Sequence, residues 1–246
     1  YLLGIYMNNF DVGIIGAGVA GAFATLKMAT DHSDIKTVVF DLGRPPMKRR
    51  RQLEGWLGCL PNSDGKLYMN DSNNIINLVG TKKNKYASNW FFNTLSNVGD
   101  FKIIKDKAPL VSMDKKIKKI GYNISLNDHI QLYPKNIHAL SKYMAESIDK
   151  YNNITFNFDN EVVSIYKQNN MFVISTDQEE YKCKKIIVAV GRSGWRWSKK
   201  LYSDFGIIDN NDSAQYGIRI ELNSSYMKDF NKSNCTLTKE DLIVGP

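Results

Sequence analysis

The stretch Phe10-Asp11-Val12-Gly13-Ile14-Ile15-Gly16-Ala17-Gly18-Val19-Ala20-Gly21-Ala22 decides how the rest of the chain is read. Val12, Ile14 and Ile15 form a short apolar β-branched run, the pattern of a buried strand. Gly16, Gly18 and Gly21 then space a G-x-G-x-x-G, and the run from Ala20 to Met28 favours helix. A second apolar strand, Thr37-Val38-Val39-Phe40, ends in the acid Asp41. Strand, glycine turn, helix, strand and acid in this order make a dinucleotide-binding βαβ unit.

The spacing assigns each residue a task. Gly16 turns the chain sharply off the strand, Gly18 lets backbone N–H groups approach a pyrophosphate, and Gly21 lets the helix pack closely. Ala17, Val19 and Ala20 complete the cradle, and the diphosphate sits at the positive end of the helix dipole. Asp41 follows Gly16 by 25 positions, slightly more than the usual spacing of about 20. It can accept hydrogen bonds from ribose hydroxyls, with Leu42 and Arg44 on the same strand end. A chance glycine-rich turn explains the motif alone, but not the strand, helix and acid around it.

The 246 residues suit one large domain or two small ones, and 43% are hydrophobic, enough for a real core. The net charge is +8, from 33 basic against 25 acidic residues. Lysines spread along the chain read as solvated faces. Lys48-Arg49-Arg50-Arg51 is one short run that fits a solvated helix start, a phosphate contact or nucleic acid. The aromatic residues do not interleave with it, which argues against nucleic acid. Cys59, Cys183 and Cys235 form no C-x-x-C and fit a reducing, cytoplasmic setting. No apolar run approaches a membrane span, and no metal-ligand cluster stands out. Tyr1–Tyr6 are apolar but lack the basic start and cleavage site of a signal peptide, so Met7 is a candidate natural start.

Farther along, Gly55-Trp56-Leu57-Gly58-Cys59 is a glycine-punctuated loop whose backbone can approach a flat ligand. Trp90–Leu95 is an apolar helical patch, and 107–135 is lysine-rich and mixed. Asn136–Tyr151 repeats Ile137, Leu140, Tyr143, Met144 and Ile148 at helical spacing. A β region opens at Asn153–Phe158. Val162–Tyr166, Met171–Thr176 and Glu180–Cys183 read as a meander turning at Asn169-Asn170 and Asp177-Gln178. Lys185–Val190 reads as a further strand, central and parallel, that breaks at Gly191-Arg192-Ser193-Gly194 before a helix from Trp195 to Phe205.

This order resembles the two-dinucleotide-binding-domain flavoproteins of the glutathione-reductase-like class. More narrowly, Ser63-Asp64-Gly65-Lys66-Leu67, Ala189–Gly194 and Tyr216-Gly217-Ile218-Arg219-Ile220-Glu221 resemble motifs of a family of FAD-dependent dehydrogenases. The resemblance implies an α/β fold: a Rossmann-like FAD/NAD(P)-binding domain over 7–60 and 136–206, with an inserted β meander at about 154–184. It leaves 61–135 and 207–246 as a partial substrate or lid region. It implies that Gly16, Gly18 and Gly21 cradle the FAD diphosphate and that Asp41 holds the adenosine ribose. Val162 or Val163 would contact adenine through the backbone, Gly191 would lie on the adenosine or diphosphate side, and the Asp64-Gly65-Lys66 loop would lie toward the flavin. In that class a later segment closes over the flavin, and none is recognisable after Glu221. A fragment, a second chain that completes the site, or a decayed site each fits this departure.

Three functions follow. The first is an FAD-dependent oxidoreductase, dehydrogenase-like, that acts on a small molecule, with NAD(P)H as a candidate electron donor. The second is a non-catalytic dinucleotide-binding module, and the third an NAD-dependent enzyme. No catalytic residue is identified: His32, His129 and His138 each read as structural or surface residues, and no cysteine pair suits a disulfide reductase.

Overall fold

The computed structural model describes residues 8–46, 48–49, 53–68, 73–99, 101–104, 118–121, 123–126, 129–208, 223, 225, 235–239 and 242–244. Tyr1–Met7, Arg50, Arg51 and the segment Tyr216–Glu221 lie outside them. The chain divides into two units, Tyr1–Asp64 with Pro134–Asp212 and Gly65–Tyr133 with Ser213–Pro246.

The first unit is built on the βαβ reading. Strand β1 (Asn8–Ile15) leads to helix α1 (Val19–Asp31) and strand β2 (Thr37–Asp41). The second unit follows in sequence. It holds β3 (Lys66–Tyr68), α2 (Asn73–Val79), α3 (Thr81–Ser96), β4 (Lys102–Ile104), β5 (Asn123–Leu126) and β6 (His129–Gln131). The chain then returns to the first unit with α4 (Pro134–Ile148), β7 (Ile154–Phe158), β8 (Val162–Gln168), β9 (Met171–Thr176), β10 (Glu180–Val188) and α5 (Trp195–Asp204). Strands β11 (Cys235–Lys239) and β12 (Leu242–Val244) belong to the second unit.

One six-stranded sheet organises the first unit, in the order β7-β2-β1-β10-β9-β8. The pairs β7–β2, β2–β1 and β1–β10 are parallel, and β10–β9 and β9–β8 are antiparallel. Register brings Ile14 opposite both Val39 and Ile187, and Ile15 opposite Phe40 and Val188. Alternation then sends Ile15, Val38 and Phe40 to one face, where they meet Val162, Ile165, Ile174, Tyr181, Cys183 and Leu201 of α5. Burying each large apolar side chain there contributes roughly 1.5–3 kcal/mol. Helix α1 buries Ala22, Leu26 and Ala29, and packs against α4, which buries Ile137, Leu140, Met144 and Ile148.

Two sequence expectations change. The meander and the central strand are not separate elements. Strand β10 runs unbroken from Glu180 to Val188, pairing β1 along its length and β9 only over Glu180–Cys183. Its first half lies between β1 and β9, where Tyr181 and Cys183 are buried, and beyond Cys183 it continues against β1. Ile154–Phe158 also does not open the meander; it pairs in parallel with β2 at the far edge. The first meander turn is as read: Asn169 and Asn170 both take positive φ, 47° and 64°, the conformation of a tight hairpin turn.

The second unit contains two three-stranded sheets, β3-β6-β4 and β12-β11-β5. All their pairings are antiparallel. Ile130 on β6 faces both Leu67 and Ile103 in register. Leu95 on α3 is buried, as the apolar patch at Trp90–Leu95 suggests.

Asn153 fastens the end of α1 to the start of β2. Its Nδ2 donates to the carbonyls of Met28 (3.2 Å), His32 (3.1 Å) and Ile35 (3.0 Å). Its own carbonyl accepts from Thr37 N at 2.8 Å. Three helix-end and loop carbonyls thus find a partner away from water. Asn153→Ala should cost about 1–3 kcal/mol in urea unfolding; a loss below about 0.5 kcal/mol, the size of a neutral surface change, would remove this role.

Candidate functional site

The carboxyl ends of β1, β2 and β10 meet at a glycine turn. Gly16 N donates to Phe40 O at 2.7 Å, and Ala189 N donates to Ile15 O at 2.7 Å. Gly16 has φ +99°, and a Cβ there would lie 2.5 Å from Ala189 O. A Cβ on Gly21 would lie 1.8 Å from Gly16 O, so α1 can begin this close to the turn only with glycine there. Gly18 differs. It is the N-cap of α1 with φ −62°, no side-chain cap and no acidic residue in the first turn. A Cβ there would come no nearer than 4.0 Å to any atom. Among the described glycines, Gly18 alone has neither a positive φ nor a close neighbour.

The segment after β2 folds back over this turn. Leu57 N donates to Ala17 O at 2.8 Å, and Trp56 N donates to Arg44 O at 3.2 Å. Trp56 is buried and meets Phe156 edge-on, with ring centroids 5.8 Å apart. Arg49 donates from Nη1 to Trp56 O at 2.8 Å. Burial lowers the pKa of Arg49 from its ordinary value, opposed by the Asp41 and Cys59 charges. In this part of the basic run, Lys48 is exposed and Arg49 is tucked into the loop.

Asp41 ties the pieces together. Its Oδ2 accepts from Ala17 N at 2.7 Å, and its Oδ1 accepts from Gly43 N and Gly55 N, each at 2.7 Å. The carboxylate therefore joins the glycine turn, the end of β2 and the folded-back loop.

These elements border a cleft of about 680 Å³ within the first unit, a size typical of ligand pockets. Of the residues singled out from sequence, Gly16, Gly18, Val19, Ala20, Asp41, Leu42, Val162 and Gly191 line it. Ala17 and Gly21 are buried behind the turn. Arg44 pairs with Asp159, Nε to Oδ2 at 3.2 Å, and is not in the lining. Val163 is 51% exposed, next along β8 from the buried Val162. Asp64 ends the first unit's opening segment outside this lining, and Gly65 and Lys66 open the second unit. There the left-handed backbone of Gly65 fits against Leu132, whose N–H donates to Gly65 O at 2.8 Å.

The cleft also takes in Gly58, from the glycine-punctuated loop read as able to approach a flat ligand, and residues that sequence reading did not single out as ligand contacts: Cys59, Asn160, Glu161, Arg192 and Trp197. Their shared signal was available, because each sits on or beside a loop at the carboxyl end of a parallel strand, where such sheets bind ligands. The histidines lie elsewhere. His32 caps the end of α1, His129 is buried on β6, and His138 is exposed on α4.

Residues 114–195 match the family described as pyridine nucleotide-disulphide oxidoreductase. Glycine oxidase from Geobacillus kaustophilus is 14% identical, with 81% of this chain and 59% of that one covered at a TM-score of 0.49. Glycine oxidase from Bacillus cereus ATCC 14579 is 16% identical over 79% of this chain and 57% of that one, at a TM-score of 0.46. Bacillithiol disulfide reductase from Staphylococcus aureus is 18% identical over 75% and 39%, at 0.36. The chain thus spans less than two thirds of the length of each of these structures. No curated protein matches the sequence. The fold is α/β, a Rossmann-like FAD/NAD(P)-binding architecture with the meander built into one side of the parallel sheet. Among the described residues no helix is long and apolar enough to cross a membrane.

Two expectations test the site. Gly18→Ala should leave thermal stability within about 1 kcal/mol of the parent, whereas Gly21→Ala should unfold the turn; equal stability of the two variants would contradict this geometry. The second concerns the cysteines. Cys59 is exposed in the cleft, and Cys183 is buried with its thiol pushed up to about 12, first by desolvation and then by the Asp11 charge. An unfolded thiol ionises near about 8.5, so between that value and about 12 the unfolded state binds fewer protons. Stability should therefore fall as pH rises through this window, and Cys183→Ala should flatten the fall. Iodoacetamide at pH 9 should label native Cys59 and reach Cys183 only on unfolding.

Proposed function

We propose that this chain carries the FAD-binding fold of an FAD-dependent oxidoreductase, dehydrogenase-like, acting on a small molecule. The observation that carries the reading is Gly18. The protein itself gives no reason for glycine at that position, yet it stands at an uncapped helix start facing the cleft. A diphosphate accounts for it. The N–H groups of the first turn of α1 would donate to the phosphate oxygens, and the missing side chain leaves them room. The family match covers residues 114–195, from before β5 to the start of α5, and does not include Gly16–Gly21. Motif and match are therefore separate supports for the same cofactor class.

When bound, FAD supplies reversible hydride and electron transfer through its isoalloxazine ring. The chain's own residues bind and orient it. Gly16–Gly21 hold the diphosphate, Val162 and Phe40 give the adenosine end apolar walls, and Gly191 lets the β10 turn approach. NAD(P)H serves as electron donor, in keeping with the pyridine nucleotide in the family description. Cys59 and Cys183 are both free, Cys59 exposed and Cys183 buried.

The test is an absorbance spectrum of the purified protein, with mass spectrometry of whatever heating releases. Flavin bands and released FAD are expected, and bleaching by NAD(P)H would identify the donor. Gly18→Ala should fold and lose the colour. A parent protein that stays colourless after incubation with FAD would sink the proposal.

A further inference from the structure

The inference concerns the adenosine end of the cleft and rests on the dinucleotide reading just given. The sequence assigns the ribose to Asp41, but this carboxylate is largely taken. It accepts three backbone N–H bonds, one on Oδ2 and two on Oδ1. An ionised carboxylate offers about four lone-pair positions, which leaves too little for a two-pronged grip on a ribose 2′,3′-diol. Aspartate is also one methylene shorter than glutamate. Its charge is held by main-chain N–H groups of the glycine turn, the end of β2 and the folded-back loop.

Asn160 stands beside it. Its N–H donates to Asp41 O at 3.3 Å, which fixes the residue at the end of β2. It lines the cleft, is only 5% exposed, and its side-chain Oδ1 has no hydrogen-bond partner. A buried amide oxygen without a partner is costly, so one in a ligand cleft points to a donor supplied from outside the chain. The torsion that aims the amide is broad and two-fold, so turning the oxygen toward a ligand needs no change of backbone. Its neighbour Glu161 is exposed.

We propose that the side-chain amide of Asn160, and not the carboxylate of Asp41, recognises the ribose hydroxyls of the adenosine half of the bound dinucleotide. Asp41 is then a positioning residue. It holds the glycine turn and the loop at Gly55 in one arrangement, and the hydroxyls donate to Asn160 Oδ1.

Calorimetric titration of the full chain, stripped of any flavin that co-purifies, tests this. The probes are ADP, which FAD and NAD share, and 2′,3′-dideoxy-ADP. The parent should prefer ADP by about tenfold, the worth of one buried hydrogen bond. The near-isosteric Asn160→Leu should bring the two affinities together. Asp41→Asn should weaken both nucleotides in proportion and keep the preference, which a ribose reader could not do. Loss of the preference in Asp41→Asn, its survival in Asn160→Leu, or a parent that binds no ADP would each overturn the proposal. If Asp41→Asn fails to fold, hydrogen exchange of the parent decides the clamp. Protection of the Ala17, Gly43 and Gly55 amides without nucleotide supports it, and free exchange overturns it. A colourless protein that still shows the ADP preference would defeat the flavin reading and leave this inference standing.

Discussion

Two main chains touch where β1 and β10 end, and the first unit follows from that contact. With any side chain on Gly16, a Cβ would lie 2.5 Å from the carbonyl of Ala189, and the strands could not end level. Because they do, the hydrogen bonds Gly16 N to Phe40 O and Ala189 N to Ile15 O bring three parallel strands to one edge. Each then releases a loop from the same place. The chain leaves β1 into α1, leaves β2 into the folded-back loop, and leaves β10 into α5. The cleft is the space among those departures. It lies where β1 has β2 on one side and β10 on the other, the reversal of strand order at which open parallel sheets take ligands.

What the sequence reveals follows the range of the interactions involved. The βαβ unit is legible because its signals are local: Ile14 and Ile15 before the turn, glycine spacing within it, and Val38, Val39 and Phe40 after it. Helix α4 is legible for the same reason, since Ile137, Leu140 and Met144 repeat at its own period. Strand β10 is misread as two elements because it changes neighbours partway. Glu180–Cys183 lies between β1 and β9, and the strand beyond continues against β1. The polar-to-apolar change along it looks like a boundary from sequence. Strand β7 is visible as a strand but not as a partner of β2, because alternation says which residues share a face and nothing about who lies beside them.

The site divides in the same way. Asp41 is recognisable as the acid at the end of β2, but the destination of its carboxylate is not. One of its donors, Gly55, lies 14 residues on, in the folded-back loop whose Trp56 is buried beside Phe156. Asn160 carries only the signal of its position, in the loop after the parallel strand β7. It is a polar residue in a short connection, and its place in the cleft is set by its N–H reaching the carbonyl of Asp41.

Gly18 brings these levels together. Serine, threonine, aspartate or asparagine at an N-cap would satisfy one of the first free N–H groups of α1 from within the chain. Such a side chain would also occupy the space beside those groups, which here opens into the cleft. A helix capped by its own residue is more stable alone and cannot be capped by a phosphate. Glycine leaves the donors bare, and part of the cost is met by the rigid surroundings: Gly21 packed under Gly16 O, and Gly58 against Gly18 Cα, where a Cβ would come to 3.2 Å. The turn is held from both sides by main chain, so its unsatisfied face is ordered before any ligand arrives. Preorganised donors gain the most from an anion because none of the ordering has to be done at binding.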